Sequence, residues 1–300
     1  MTDPGSAGRP LAGRTLAEVV GRRPLGSLEW LTLEVPGWAG ARPGQFALLQ
    51  SQDSCCFLGR ALSVASQERE AVSFLIAPVG EGTHELSALR KGERVWVVGP
   101  LGNGFDVEAL TASAGRLLVV AGGVGVAPFP LLLSQVGDRW AGESHGARLE
   151  RIALLLGFRD RTQAQGAEPA LEAAAALERQ GMSCRVEVVT EDGSVGRAER
   201  VSDTLRRELQ RGDRLVVCGP SAMTAAVWEI CSSTPEVTVW FSLEAGMACG
   251  VGSCHGCAVP VAGGGTVRVC REGPVFEGAA LFGTGRPRPG ESPDPGMVCQ

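Results

Sequence analysis

Tyrosine is absent from this chain of 300 residues, and histidine occurs only three times, at positions 84, 145 and 255. The histidines are scattered, and the sequence offers no convincing acid–base pair or nucleophile triad. An excess of basic residues is also lacking, because 28 lysines and arginines face 33 acidic residues and give a net charge of −5. This balance disfavours a nucleic-acid binder with a basic surface.

An apolar signal segment is missing near the N-terminus, since Met1–Arg14 has no apolar core of the kind that secretion requires. We therefore expect a cytoplasmic protein, in which clustered cysteines bind metal more often than they form disulfides. Leu117–Gly137 carries no charge and is long enough to cross a bilayer. Its closely spaced glycines and prolines favour instead a buried strand, a turn and a buried helix, so we expect no membrane span.

Short apolar runs separated by turns fill the first hundred residues and predict a β-barrel or sandwich. The runs are Trp30–Val35, Gln45–Gln50, Val72–Ala77 and Arg94–Val98. Because domains average about 150 residues, the length leaves room for about two domains and a small third. We place the first domain at 14–110 and interpret Thr111–Gly115 as a linker.

Strands and helices alternate after this linker, which indicates βαβ units around a parallel sheet over 115–234. The predicted strands are Leu117–Ala121, Ile152–Leu156, Cys184–Val189 and Leu215–Cys218, and the predicted helices are Ala127–Val136, Glu168–Arg179 and Ser202–Gln210, with Ser202 as N-cap. One more strand, Val237–Phe241, opens a Cys- and Gly-rich module predicted over 236–278. Residues 1–13 and 279–300 are predicted to be disordered tails.

Four of the ten cysteines have a spacing typical of a metal centre. Cys249, Cys254 and Cys257 follow the plant-type [2Fe–2S] pattern C-x4-C-x2-C, and Cys270 follows after twelve intervening residues. The glycines between them allow sharp turns and let backbone N–H groups point at the sulfurs. A structural zinc site is the alternative, but zinc sites usually present two close cysteine pairs, and here only Cys254 and Cys257 form one.

The remaining cysteines and His255 have less support as metal ligands. His255 could be a Rieske-type ligand, but a matching second histidine is missing, and we expect a solvated loop residue. Five further cysteines show no ligand spacing and are interpreted as core or surface thiols: Cys55, Cys56, Cys184, Cys231 and Cys299.

Two Gly-containing turns follow predicted strands, and both suit a nucleotide. The first contains Gly122, Gly123 and Gly125, and the second is Cys218-Gly219-Pro220. A strand, a Gly-rich turn and a helix offer N–H groups to a pyrophosphate, and open α/β sheets bind ligands at the carboxyl ends of their strands. A tight connection without a ligand is the alternative for the first turn, and a buried strand-end thiol is the alternative for Cys218.

Two motifs of the β region also suit phosphate groups. Arg60 stands close to the hydroxyl of Ser63, a combination that fits a phosphate or pyrophosphate. Gly80–Thr83 is a Gly-rich turn with a hydroxyl and could form a second phosphate cradle. The alternatives are a surface arginine and a plain hairpin turn.

In this order the motifs resemble the ferredoxin-reductase superfamily. Ser242–Glu244, Met247–Gly250 and Val269–Phe276 are similar to segments of the electron-transfer subunits of dihydroorotate dehydrogenase B, and the resemblance covers residues 14–278. It implies an N-terminal antiparallel FAD-binding β-barrel, a Rossmann-like parallel-sheet NAD-binding domain and a small C-terminal [2Fe–2S] module.

The resemblance also implies roles for individual residues. The implied cluster ligands are Cys249, Cys254, Cys257 and Cys270; the implied FAD contacts are Arg60, Leu62, Ser63, Leu75, Ile76, Ala77, Gly82 and Thr83; the implied NAD contacts are Gly122, Gly123, Gly125, Cys218, Gly219 and Pro220. The superfamily often has Arg-x-Tyr-Ser with the tyrosine against the flavin, whereas this chain has Leu62 there. Ala61 and Glu272 stand where the family has proline and aspartate.

The implied reaction is an electron relay in pyrimidine biosynthesis. A catalytic partner subunit with FMN oxidises dihydroorotate, and electrons pass through the cluster and FAD to NAD⁺, in a complex with two copies of each subunit. No catalytic residue of the chain is implied, because the cofactors carry the chemistry. The alternatives are a similar subunit of a ferredoxin:NADP oxidoreductase, sulfide dehydrogenase or hydrogenase, and a zinc-stabilised interaction module without a redox role.

Overall fold

The computed structural model describes residues 13–142 and 149–283. They form a closed barrel, a six-stranded sheet flanked by helices, and a C-terminal segment that contains the spaced cysteines. This architecture confirms the predicted fold class. The described residues include no helix that is long and apolar enough to span a membrane.

Six antiparallel strands close the barrel. They are β1 (Arg14–Leu25), β2 (Leu28–Glu34), β3 (Phe46–Ser51), β4 (Arg60–Glu68), β5 (Ala71–Ile76) and β6 (Arg94–Leu101), and they pair in the order β1-β2-β5-β4-β3-β6. Side chains along a strand alternate between its two faces, and the inward set, including Leu33, Leu49 and Phe74, forms a buried core. β1 has no counterpart among the predicted apolar runs, and β4 has none either.

Helix α1 (Glu81–Ala88) lies between β5 and β6, where the sequence suggests a Gly-rich turn. Gly80 is its N-cap residue, and the Thr83 hydroxyl accepts hydrogen bonds from the backbone N–H groups of Gly80 and Val79, both at 3.0 Å. The plain hairpin is therefore wrong. The segment is the first turn of a helix, and N–H groups in such a turn have no partner within the helix and can bind a ligand.

The second sheet contains five parallel strands. They are β7 (Gly115–Gly122), β8 (Leu149–Phe158), β9 (Ser183–Thr190), β10 (Arg214–Cys218) and β11 (Thr238–Ser242). The accompanying helices are α2 (Val107–Thr111), α3 (Phe129–Gly142), α4 (Arg161–Ala164), α5 (Glu168–Arg179), α6 (Val201–Glu208) and α7 (Ser221–Ser232), with 3-10 turns at Gly123–Val126 and Gln165–Ala167. The predicted linker is shorter than expected, because α2 ends at Thr111 and β7 begins at Gly115.

Helix α6 begins one residue earlier than predicted. Its N-cap is Arg200 and Val201 is its first residue, so Ser202 is not the cap. Val201 is 5% exposed and packs against Gly157 of β8, where a β-carbon would lie 2.7 Å from the Val201 β-carbon. Burial of this valine against the sheet outweighs the capping preference of serine.

The C-terminal segment continues the parallel sheet rather than standing apart from it. Its elements are the hairpin β12 (Ala258–Pro260) and β13 (Thr266–Arg268), then β14 (Val275–Glu277) and α8 (Gly278–Phe282). β14 joins the sheet as its one antiparallel strand and gives the order β14-β11-β10-β7-β8-β9, so the boundary predicted near residue 235 falls inside one sheet. The tail predicted to be disordered from residue 279 has to be corrected at its start, since 279–282 belong to α8; residues 1–12 and 284–300 lie outside the described residues.

Candidate functional site

A cavity of about 350 Å³, called the barrel cavity below, opens between the barrel and the carboxyl ends of β7, β10 and β11. The predicted site residues that line it are Arg60, Leu62, Ser63, Leu75, Ala77, Thr83, Gly125 and Cys218. Residues from the loop after β11, Ser242–Met247, form the opposite wall. The structure thus brings together residues of the barrel, the parallel sheet and the C-terminal segment that lie far apart in the sequence.

Two of the implied FAD contacts, Ile76 and Gly82, do not line the cavity, and strand alternation explains the absence of the first. Leu75 and Ala77 face the cavity, and Ile76 between them points the other way and is fully buried in the barrel core. Leu62, in the position where the superfamily often has tyrosine, is half-buried and pairs with Ala47 of β3. An aliphatic side chain therefore supplies the cavity wall at this position.

Arg60 lies across the first turn of α1. Its guanidinium is in such close contact with Gly82 that a β-carbon at position 82 would collide with Nε. This Nε is buried and has no hydrogen-bond partner among the described residues. An arginine without a partner beside a helix N-terminus is a combination that suits an anionic group.

A second cavity of about 340 Å³, called the sheet cavity below, lies on the other side of the turn after β7. Gly122, Gly123 and Pro220, three of the implied NAD contacts, line it. The remaining walls come from the ends of β8 and β9 and from the start of α6, and include Arg159, Glu191, Arg200 and Ser202. Glu199 also lines it, but its carboxylate is bound by Arg207 and by the Thr204 hydroxyl.

The two Gly-containing turns form the wall between the cavities. A β-carbon at Gly125 would collide with the backbone of Cys218 and Gly219, and one at Gly122 would lie 2.6 Å from Met223 Sδ. Gly219 contacts neither cavity directly but packs against the backbone N of Gly122. These glycines are required by close packing of the turns, which leaves Gly125 and Cys218 on one side and Gly122, Gly123 and Pro220 on the other.

Glu244 is a half-buried residue that the sequence analysis did not single out. It lines the barrel cavity, and burial raises its pKa above the ordinary carboxyl value. Burial also raises the pKa of the Cys218 thiol, and the Glu244 carboxylate adds to that shift. Cys218 is paired with Ser242 in adjacent strands, and the Ser242 hydroxyl hydrogen-bonds the thiol. Cys218 is therefore a protonated, unreactive thiol at the base of the cavity.

The four spaced cysteines belong to one segment, 249–270, called the cysteine segment below. Backbone N–H groups donate to three of the sulfurs: Cys254 N to Cys249 Sγ at 3.5 Å, Gly256 N to Cys254 Sγ at 3.4 Å, and Cys270 N to Cys257 Sγ at 3.4 Å. Gly250 and Gly252 have positive φ values of 68° and 85°, which allow the required turns. This donor arrangement fits negatively charged thiolates around a metal centre.

The pKa values of two of these thiols are shifted in opposite directions. Burial raises the pKa of Cys249, but N–H donors from Cys254 and Val251 outweigh it and lower the pKa to about 6. Burial raises the pKa of Cys270 to about 12, and the neighbouring Cys257 thiol contributes to this rise. The segment therefore stabilises thiolates unevenly in the absence of a positive ion.

An ion pair between Arg268 and Glu272 supports the cysteine segment at its C-terminal end. The Arg268 guanidinium binds the Glu272 carboxylate and donates from Nη1 to Gly252 O at 2.9 Å. One arginine thus links Glu272, just after Cys270, to Gly252, which lies between Cys249 and Cys254.

Other residues considered from the sequence lie away from the site or outside the described residues. His255 is an exposed loop residue with φ of 59°, and His84 is exposed on α1. Cys55, Cys56, Cys184 and Cys231 lie outside the cysteine segment, while His145 and Cys299 lie outside the described residues.

The sequence analysis missed two kinds of residue. Glu244 stands within a quoted motif, and its position directly after a strand is a signal that could have identified it. Glu191 and Arg200 both come from the connection between β9 and α6, and the rule that ligands bind at the carboxyl ends of parallel strands could have pointed to them.

Comparison with known proteins agrees with this geometry. Residues 244–282 match the iron-sulfur cluster binding domain of dihydroorotate dehydrogenase B, and residues 119–229 match the oxidoreductase NAD-binding domain. The chain is therefore an oxidoreductase subunit with an NAD-binding domain and an iron–sulfur cluster binding domain.

Solved structures show the same fold. A structure of an NADH-dependent reduced ferredoxin-NADP oxidoreductase has a TM-score of 0.68 and 26% identity, with 90% of each chain covered. Ferredoxin-NADP⁺ reductase from Plasmodium falciparum has a TM-score of 0.57 at 14% identity, with 75% of this chain and 95% of that chain covered, which indicates the fold alone.

Curated relatives are similar over most of their length. The dihydroorotate dehydrogenase B (NAD(+)) electron transfer subunit of Clostridium acetobutylicum is 34% identical over 251 residues, which are 83% of this chain and 90% of the relative. The subunit of the same description from Caldanaerobacter subterraneus is 35% identical over 244 residues, 80% of this chain and 87% of the relative. The chain described here belongs to the family of dihydroorotate dehydrogenase B electron transfer subunits.

Proposed function

We propose that this chain relays electrons from dihydroorotate, which a catalytic partner subunit with FMN oxidises, through a [2Fe–2S] cluster and FAD to NAD⁺. The observation that carries the proposal is the direct connection between the barrel cavity and the cysteine segment. Leu243 lines the cavity, and its N–H donates to Pro274 O at 2.9 Å, just after the segment ends at Cys270. The names of the relatives supply the substrate and the partner.

The barrel cavity fits FAD. Arg60, with an unpartnered buried Nε among the described residues, and the first turn of α1 would bind the pyrophosphate. Leu62, Leu75 and Ala77 offer an apolar wall for the ring system, and Ser63 offers a hydroxyl beside it. The Thr83 hydroxyl is occupied by the N-cap of α1, so we assign its contact to the backbone of the helix start rather than to the side chain.

The sheet cavity fits the adenosine half of NAD, with Gly122, Gly123 and Pro220 near its phosphates. The nicotinamide would enter the barrel cavity past Gly125 and Cys218, which line that cavity on the other side of the glycine-containing turns. This arrangement places the proposed NAD residues on two sides of one turn.

The cysteine segment fits a [2Fe–2S] cluster held by Cys249, Cys254, Cys257 and Cys270. The spacing of the first three is that of the plant-type clusters, and N–H donors point at three of the four sulfurs. We also propose the three-part division of the chain at 14–110, 115–234 and 236–278, with the qualification that the last two share one sheet.

When bound, the cluster supplies one-electron transfer, and the flavin couples it to the two-electron chemistry of NAD⁺. The residues of the chain bind, orient and shield these groups. Glu244 holds a proton at its carboxyl oxygen up to a higher pH than an exposed glutamate would, because burial raises its pKa.

Co-expression with the catalytic subunit tests the proposal. We expect a complex with the combined visible absorption of flavin and a [2Fe–2S] cluster, and NAD⁺ reduction that depends on dihydroorotate. The Cys254→Ser complex should retain flavin and NADH oxidation with an artificial dye, but should lose dihydroorotate-dependent NAD⁺ reduction. A colourless protein that contains zinc would refute the proposal and support the zinc-stabilised module.

A second candidate function keeps the cofactors and changes the partner. The structure of the NADH-dependent reduced ferredoxin-NADP oxidoreductase covers 90% of this chain at a TM-score of 0.68, which supports a subunit of a ferredoxin-linked complex. Affinity purification from the native cell distinguishes the two functions, because the co-purified subunit would oxidise dihydroorotate in one case and reduced ferredoxin in the other.

A further inference from the structure

The residues 271–274 connect the proposed cluster to the proposed flavin site. They follow Cys270 directly and end at Pro274, which lines the barrel cavity. Any shift of this short connection relative to the barrel would change the spacing between the two sites. The contacts that fix this connection to the barrel therefore affect electron transfer between the two proposed sites.

Asn103, which follows β6 of the barrel, binds three successive carbonyl groups of this connection. Its side-chain Nδ2 donates to Arg271 O at 3.1 Å and to Glu272 O at 3.0 Å. Its backbone N donates to Gly273 O at 2.5 Å, and its own carbonyl accepts from Val275 N at 3.4 Å. One barrel residue thus holds the whole stretch between the last proposed ligand and the cavity wall.

The barrel side of this contact is rigid. Phe46 of β3 is paired with Leu101 of β6 on one side and with Ser63 of β4 on the other, and Phe46 and Ser63 both line the barrel cavity. Gln45, whose side chain is buried, donates from Nε2 to Gly102 O at 2.7 Å. Asn103 is therefore tied to the cavity through strand pairing rather than through a flexible loop.

The other anchors of the connection come from the C-terminal segment and its sheet. The N–H groups of Arg271 and Glu272 donate to Arg268 O, each at 3.0 Å, and Leu243 N donates to Pro274 O. These bonds hold the two ends of the connection but do not reach β3, β4 or β6. Asn103 supplies the polar link between the connection and the barrel strands.

We propose that Asn103 is a positioning residue that sets the spacing between the proposed cluster and the proposed flavin, and thereby the rate at which electrons cross between them. This inference rests on the proposed function. Each NAD⁺ takes up two electrons and one proton, so a single electron crosses this gap twice per turnover, and no bond forms or breaks there. The rate of electron transfer falls as the distance between two redox centres grows, so a displaced connection would slow this crossing.

The test uses the holoprotein with NADH as the reductant and separates the two steps in time. Rapid-mixing absorption follows flavin reduction by NADH, and freeze-quench EPR follows the appearance of the reduced cluster. For Asn103→Ala we expect unchanged flavin reduction and cluster reduction that is slowed severalfold. The cluster reduction potential should be unchanged, and amide hydrogen exchange over 271–275 should be faster than in the wild type.

Two further variants make the result specific. Asn103→Asp keeps the shape but turns a donor into an acceptor that faces backbone carbonyls, so we expect a larger slowing than for alanine. Gln135→Ala removes a comparable hydrogen bond between α3 and the barrel, Nε2 to Ala41 O at 2.9 Å, away from the cysteine segment. This matched control should leave both steps unchanged.

Each outcome decides the inference. The inference would be overturned if Asn103→Ala and Asn103→Asp proteins that hold both cofactors showed unchanged rates of cluster reduction and hydrogen exchange. The proposed function would remain intact in that case. If the alanine protein loses its cluster, Asn103→Ser, which keeps a shorter donor, replaces it, and normal transfer in that protein would also overturn the inference. A wild-type protein without flavin and cluster would overturn the proposed function and the inference together.

Discussion

The cysteine segment and the parallel sheet beside it are stabilised in opposite ways. β7 and β10 consist almost wholly of buried residues, and the buried pair Arg116–Asp213 ties the two strands' starts together, with Nη2 to Oδ2 at 2.6 Å. The cysteine segment has only two three-residue strands among its described residues and depends on N–H donors to sulfur. A sheet of this kind holds its shape through its own packing, whereas we expect the stability of the cysteine segment to depend on the group that its cysteines bind, because ligand binding and folding are linked at such sites.

The largest expected effect removes a proposed cluster ligand. Cys254→Ser should abolish the [2Fe–2S] absorption and leave flavin bound, because the barrel cavity does not include residue 254. Visible absorption and iron content measure the result. Cys184→Ser, a change of a half-buried thiol in β9, is the control and should retain full iron content. A full cluster in Cys254→Ser would show that the ligand assignment is wrong.

The second-largest effect is expected in the parallel sheet. Arg116→Ala leaves the buried Asp213 carboxylate without its partner and should lower the free energy of unfolding by about 3–5 kcal/mol. Urea unfolding measures this. Arg211→Ala, which removes an exposed and solvent-screened pair with Glu236, should leave the free energy of unfolding nearly unchanged. If both variants lowered the free energy of unfolding equally, the buried pair would contribute no more to stability than the exposed pair.

A smaller effect is expected at the barrel cavity, where the loss of a cofactor contact should leave the folded barrel intact. Arg60→Ala should weaken FAD binding by about ten- to hundredfold, since a hydrogen bond to a charged group contributes about 1.5–3 kcal/mol. Flavin fluorescence titration of the apoprotein measures the affinity, and the iron content should stay at the wild-type level. Arg90→Ala, an exposed arginine after α1, is the control. Unchanged FAD affinity in Arg60→Ala would contradict the assignment of the pyrophosphate site.

The smallest effect is a pH dependence of stability. Burial raises the pKa of Glu244 in the folded state, so the folded protein binds more protons than the unfolded protein above the ordinary carboxyl pKa of about 4.3. The stability contributed by the protonated group is therefore lost as pH rises from that value through the raised pKa. Glu244→Gln should remove this loss and be more stable than the wild type at neutral pH but not at about pH 4. Thermal unfolding at both pH values measures it, and parallel curves would contradict the burial argument.

The cysteine ligand pattern and the alternation of strands and helices could be predicted from the sequence, because each depends on residues close together in the chain. The spacing of Cys249, Cys254 and Cys257 is a local signal, and so is the strand–turn–helix around Gly122. Helix α1 was missed because a two-turn helix that starts after Gly80 shows no useful periodicity.

The sheet cavity could not be predicted in full, because its walls come from separate strand ends. Arg159 and Glu191 meet only when β8 and β9 pair in the sheet. Ser202 is not the N-cap of α6 because Val201 packs against Gly157, and capping preferences alone cannot predict that packing. Glu244 was overlooked because an acidic residue in a loop gives no sign of burial until the barrel covers it.

The three-residue strand β14 has a protective consequence for the sheet. The opposite edge, β9, carries Arg185 and Glu187, which pair with charged residues of α6 and discourage the addition of another chain. The edge at β11, with Val239 and Phe241, is covered by β14 alone on its hydrogen-bonding side within the described residues. By pairing with Trp240, Phe241 and Ser242, β14 keeps the backbone N–H and C=O groups of β11 from pairing with a strand of another molecule.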